Sequence, residues 1–177
     1  MNCTEHSPSL SNAPSLSGQP SSRRNMNALT CGAYCKNDMP DEVHDFLDQQ
    51  RVGVISVEMP NGAPHGSTVH FAYQRDPLTF VFLTDRTYRK VEPMQGGAST
   101  RASFVVGTDE SQMRTLQLDG TARLTDSELH WEAYFSKFPE KREQYGDPDD
   151  VFFVFTPTWW RYTNYQVPEG KQVIESL

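Results

Sequence analysis

The spacing of apolar positions changes several times along the chain, and each change predicts an element. After Pro40-Asp41-Glu42, the apolar residues Val43, Phe46 and Leu47 fall at i, i+3 and i+4. That spacing, with proline and acids in the first turn, predicts a helix over 40–50. Residues 52–58 then read as a strand, and Pro60-Asn61-Gly62 as a hairpin turn into a second strand over 67–74. Arg75-Asp76-Pro77 turns the chain into a third strand, 78–84, and a helix-like stretch begins at Tyr88-Arg89-Lys90. A β run follows at 102–106. Over 113–124, Leu116, Leu118, Gly120, Ala122 and Leu124 alternate with polar residues, which predicts a long strand with one buried face and a bulge or bend at Gly120.

Thr125 and Glu128 have the spacing of a capping box ahead of an amphipathic helix carrying Leu129, Trp131, Tyr134, Phe135 and Phe138. Two more strands are expected, 151–155 and 159–166, separated at Thr156-Pro157. Meandering strands with peripheral helices indicate a small antiparallel barrel and not a βαβ fold. Residues 1–37, with Ser7-Pro8-Ser9, Pro14-Ser15 and Pro20-Ser21-Ser22, offer almost nothing to bury. They are expected to form a flexible, poorly ordered N-terminal tail ahead of one domain over 38–177.

Composition narrows the function. The mean hydropathy of -0.64 fits a chain that is polar in part, and the longest apolar run, 151–155, is far too short to span a bilayer. A net charge of -7 and a pI near 5.2 argue against nucleic acid as a partner, while leaving room for a local anion site. Cys3, Cys31 and Cys35 all lie in the tail, so the domain itself is free of cysteine. That fits a reducing, cytoplasmic setting. His44, His65, His70 and His130 lack metal-ligand spacing and read as surface or packing residues. Asp147-Pro148-Asp149-Asp150 reads as a solvated turn.

The segment 78–95, LTFVFLTDRTYRKVEPMQ, carries the chemistry. A strand ending at Thr84 leads through a polar loop with Arg86 and Thr87 into adjacent cations, Arg89 and Lys90. Cations at a helix start oppose the helix dipole, so their placement there points to an anion such as a phosphate. This segment, with FLDQQ, GVISVEM, NGAPHGSTVHF and TLQLDGTARL in that order, resembles the pyridoxamine 5'-phosphate oxidase-like, FMN-binding split-barrel family over residues 41–166.

The resemblance implies a mainly β fold with peripheral helices, a six- to seven-stranded antiparallel split β-barrel. It implies FMN as the cofactor, its phosphate held by Thr84, Arg89 and Lys90, with Leu83, Thr87 and Tyr88 beside them. Tyr88 stands where the family often has serine, and Thr87 is the candidate substitute. The strand with Ser67, Thr68 and Val69 would turn its backbone to the flavin ring. Across a homodimer interface, Thr115, Gln117, Trp160 (with Trp159 a near-equal choice) and Arg161 would meet the partner's flavin. The R-L-H-D-R-type ending of true pyridoxamine-phosphate oxidases is missing, so the resemblance implies an oxidoreductase acting on another small molecule. A cofactor that carries the hydride chemistry also accounts for a sequence with no catalytic triad. The alternatives on the same fold are a flavin-binding stress or sensor protein without turnover, and a relative binding the deazaflavin F420 or haem.

Overall fold

Residues 39–176 are described by the computed structural model of the chain. The expected tail, its three cysteines and the first residue of the expected domain lie outside them. Pro40 opens helix α1 (Asp41–Gln49), which buries Val43, His44, Phe46 and Leu47. The strands are β1 (Val52–Glu58), β2 (Pro64–His70), β3 (Ala72–Gln74), β4 (Thr79–Asp85), β5 (Ser99–Val106), β6 (Arg114–Thr125), β7 (Asp150–Asn164) and β8 (Gln172–Glu175). Helix α2 (Glu128–Lys137) lies between β6 and β7. All pairings are antiparallel, in the order β2-β1-β5-β6-β7-β4-β3, with β8 added along β7. The mainly β split-barrel fold with peripheral helices is therefore present. No helix among the described residues is long and apolar enough to cross a membrane.

The two ends of this order, β2 and β3, are consecutive in the chain and separated by Phe71 alone. The strand expected over 67–74 is thus two strands: β2 pairs with β1, and β3 pairs with β4. Phe71 makes the crossing. Its amide donates to the Arg51 carbonyl (3.2 Å) and its ring is fully buried. One residue cannot span a flat seven-strand sheet, so the sheet has to curl until its two edges meet at Phe71.

The interior of the curl is an aromatic box. Phe104 meets Phe71, Phe80 and Phe82 edge-on at 5.2, 5.3 and 5.2 Å, and Phe82 stacks on Phe153 at 4.6 Å. Pairs of this kind add about 0.5–1.5 kcal/mol each beyond the area they bury. Gly53 is needed beneath Phe104, because a Cβ there would collide with its ring. A second cluster forms on the outside of β4, where Val81, Phe152 and Val154 pack under Tyr134, Phe135 and Phe138 of α2. Strand β4 is consequently covered on both faces, which explains its continuous apolar sequence.

Several expectations need correction. Residues 151–155 and 159–166 are one strand, β7, and Pro157 does not end it. The ladder shifts register between Asp119 and Gly120, leaving Thr158 without a partner across it. A proline lacks an amide to offer and is tolerated at such a bulge. Gly120 fits because a Cβ there would strike the Thr156 carbonyl. Thr125 is not a cap: it is still paired with Phe152 at the end of β6, and its hydroxyl bonds His130 Nδ1 at 2.8 Å. The stretch after Tyr88 is a 3₁₀ helix, Arg89–Gly97, interrupted at Gln95 and Gly96. Its Val91 and Met94 are buried, so it packs across one end of the barrel against β1, β2, β5 and β6.

Two predictions follow from the seam at Phe71. Phe71→Ala is expected to cost about 3–5 kcal/mol of unfolding free energy, read by chemical denaturation. Lys137 lies over the Phe71 ring (4.4 Å) and donates to the Leu47 carbonyl (3.3 Å), and burial pushes its pKa down to about 8. A cation depressed in the folded state costs stability below pH 8, and the cost fades as pH rises towards the unfolded value near 10.5. Lys137→Met should therefore show a flatter pH dependence of stability than the wild type between those limits.

Candidate functional site

The loop after β4 places its cations unequally. Arg89 is exposed, whereas Lys90 is buried at 7% exposure, with its ammonium 4.5 Å from the Tyr88 ring centroid. Burial lowers the Lys90 pKa, and Asp85 acts against that shift. Among the described residues neither cation is in an ion pair. Thr84, at the end of β4, is also buried. A mostly buried ammonium without a carboxylate partner is unfavourable on its own, and an anion would relieve it.

Thr87 is not free to be the substitute donor. Its amide and hydroxyl both donate to Asp85 Oδ1, at 2.7 and 2.6 Å. These bonds, the hydroxyl's first, hold the Asp85 carboxyl below its ordinary range. Arg86 is likewise engaged elsewhere, with Nε 3.8 Å from Asp149 Oδ1. Sequence reasoning missed Asp85, although the Asp-x-Thr spacing of a side-chain turn was there to read.

The remaining candidates divide by face. Pairing across the sheet runs Thr68, Val54, Val105, Gln117, Arg161, Glu175 in one row. All six are exposed or partly exposed, so the row lies on the outer face, and Thr115, opposite Thr163, joins it there. The row Ser67, Ile55, Phe104, Leu118, Trp160 lies on the inner face. Trp160 is fully buried in the barrel core and is corrected out of the set that could touch a flavin. Trp159 is the outward tryptophan, with the Arg161 guanidinium 5.4 Å from its ring centroid. Val69 also packs into the core, and the Leu83 side chain packs against the α2 cluster, so each has only backbone to offer.

The two halves of the candidate set lie at different positions along the sheet. Thr84 pairs with Val151 and Gln117 with Arg161, ten positions further along β7. At about 3.3 Å per residue this is roughly 33 Å of strand. Strand β2 lies near β4 and the 3₁₀ helix, so Ser67 and Thr68 are on a strand adjoining the element of Lys90; β6 packs on that helix as well. Two clefts are formed by other residues. One, of about 430 Å³, is lined by Arg86, Thr125, Trp131, Tyr145 and Asp150; the other, of about 660 Å³, by Glu58, Arg101, Ser103, Asp119 and Thr158.

A family model described as pyridoxamine 5'-phosphate oxidase matches residues 39–164. The chain belongs to the pyridoxamine 5'-phosphate oxidase family. Solved structures agree on the fold. A general stress protein 26 candidate from Jannaschia sp. CCS1 is 22% identical, with 74% of this chain and 83% of that chain covered and a TM-score of 0.58. A protein related to general stress protein 26, from Clostridium acetobutylicum, is 18% identical, with 76% and 92% covered and a TM-score of 0.57. A heme binding protein from Mycobacterium smegmatis is 13% identical, with 80% and 58% covered and a TM-score of 0.59. No curated protein matches the sequence.

The matched segment includes β4, Thr84, Arg89 and Lys90. Tyr88 is 56% exposed, and its ring lies against the Lys90 ammonium. The strand β8 lies beyond the matched residues and was not anticipated; its Glu175 reaches Arg161. Lys90→Met should stabilise the unliganded protein, because it removes a buried charge; inorganic phosphate is expected to raise the melting temperature of the wild type and not that of the variant. Thermal unfolding with and without phosphate checks both.

Proposed function

We propose that the protein binds FMN at a site shared between two copies of the chain and serves as a flavin-dependent oxidoreductase for a small molecule. The observation that carries the reading is Lys90, at the start of the 3₁₀ helix after β4, a buried cation without an ion-pair partner among the described residues, beside the exposed Arg89. That donor set fits a phosphate. Two cations can supply charge-assisted hydrogen bonds, and Thr84 stands near the end of the strand that leads to them. Family membership supports the same reading.

In this arrangement Lys90, Arg89 and Thr84 hold the phosphate end. Strand β2 ends the ladder order, so one of its edges keeps unpaired backbone amides and carbonyls that can meet a ring. Thr115 and Gln117 on β6 and Arg161 on β7, on the outer face of the sheet, would cover the ring held by a second copy and exclude water from it. FMN, when bound, supplies hydride and electron transfer. The chain's own residues bind it, orient it and limit access. A two-fold dimer would then carry two equivalent sites.

Arg89→Ala or Lys90→Ala is expected to weaken FMN binding about tenfold or more, since a hydrogen bond to a charged group contributes about 1.5–3 kcal/mol. Wild-type affinity in both folded variants would sink the phosphate assignment. The absorbance spectrum of the purified protein sorts the cofactors. Flavin bands are expected; a deazaflavin band would favour F420, and a Soret band would favour haem, the ligand in the name of the Mycobacterium smegmatis structure.

A further inference from the structure

Strand β8 lies outside the segment that matches the family model, yet it is tied firmly to β7. The Ser176 amide donates to the Trp160 carbonyl and the Trp160 amide donates to the Ser176 hydroxyl, both at 3.0 Å. This anchoring sets Glu175 directly opposite Arg161 on the outer face. Arg161 Nε donates to Glu175 Oε2 at 2.8 Å, and a second guanidinium nitrogen lies 2.7 Å from the same oxygen. The guanidinium also lies over Trp159. It is therefore held on one side by an aromatic ring and on the other by a carboxylate.

The charge around it is already spent. Along the outer row Thr68, Val54, Val105 and Gln117 are uncharged, and the neighbouring pairs Thr115–Thr163 and Asp119–Trp159 add one carboxylate and no cation. Two of the guanidinium nitrogens are taken by Glu175, so its carboxylate offsets the charge that a phosphate or carboxylate would otherwise meet at Arg161.

We infer that Glu175 is a specificity-determining residue: by clamping Arg161 it removes the free cation from the face that covers the partner's flavin, so the site admits uncharged substrates and excludes anionic ones. The inference rests on the shared flavin site proposed above. Glu175 acts through Arg161 and is a positioning residue.

The test compares the affinity of pyridoxal 5'-phosphate, an anionic probe, with that of 1,4-naphthoquinone, a neutral one. Calorimetry at low salt is run on FMN-incubated wild type, Glu175→Gln, Glu175→Asp and Arg161→Gln. Removing one charge this close to a cation should change anion affinity about tenfold. Glu175→Gln is expected to bind pyridoxal 5'-phosphate about tenfold tighter than wild type, with naphthoquinone unchanged. Glu175→Asp should keep the exclusion, and Arg161→Gln, read at an FMN concentration that saturates this variant, should leave the weak wild-type anion binding as it is. Equal anion affinity in wild type and Glu175→Gln, or a loss of anion binding in Arg161→Gln alone, overturns the inference. Arg89 and Lys90 are unchanged in every protein compared, so the differences report on Arg161. Failure of the flavin site itself shows separately, as protein that retains no FMN.

Discussion

Phe71 is the constraint on which the rest of the structure depends. It joins the first and last strands of the ladder, and its ring fills the space between Phe80, Phe104 and the Lys137 ammonium. Because β2 must stay on β1 while β3 goes to β4, the sheet has to curl, and the curl brings β2 beside β4 without pairing them. The split in the barrel is that gap. It leaves β2 with an open edge near the loop that carries Arg89 and Lys90, and the 3₁₀ helix with Val91 and Met94 closes the barrel end beside it.

The same curl explains an electrostatic imbalance. Anchoring Val91 and Met94 in the core draws the adjacent Lys90 out of water, and its pKa falls in consequence. Asp85, whose carboxylate is also held by the amide and hydroxyl of Thr87, offsets that charge only in part. A protein of net charge -7 thus retains a localised positive site, a combination that favours a small anionic ligand over a polyanion.

Much of this was legible in the sequence wherever the determining contacts are local. The period of α1, the alternation in β6 and the cations after Thr84 all depend on residues a few positions apart. What was hidden depends on distant partners. Phe153 and Phe155 face the core, and simple alternation would then bring Trp159 inward. The bulge at Thr158 shifts the parity, so Trp160 and Tyr162 turn inward instead. That bulge depends on Gly120, almost forty residues earlier, and no pattern within 156–162 reveals it. Short strands were hidden for a similar reason: β3 and β8 are three and four residues long and exist because β4 and β7 offer them edges.

The central claim is a flavin site that one chain cannot complete. FMN binding measured at a series of protein concentrations, reaching below the point at which the assembly dissociates, tests it most directly. The account predicts that affinity falls as the protein becomes monomeric, since Gln117 and Arg161 are then lost from the ring. Undiminished FMN affinity in the monomer would contradict it.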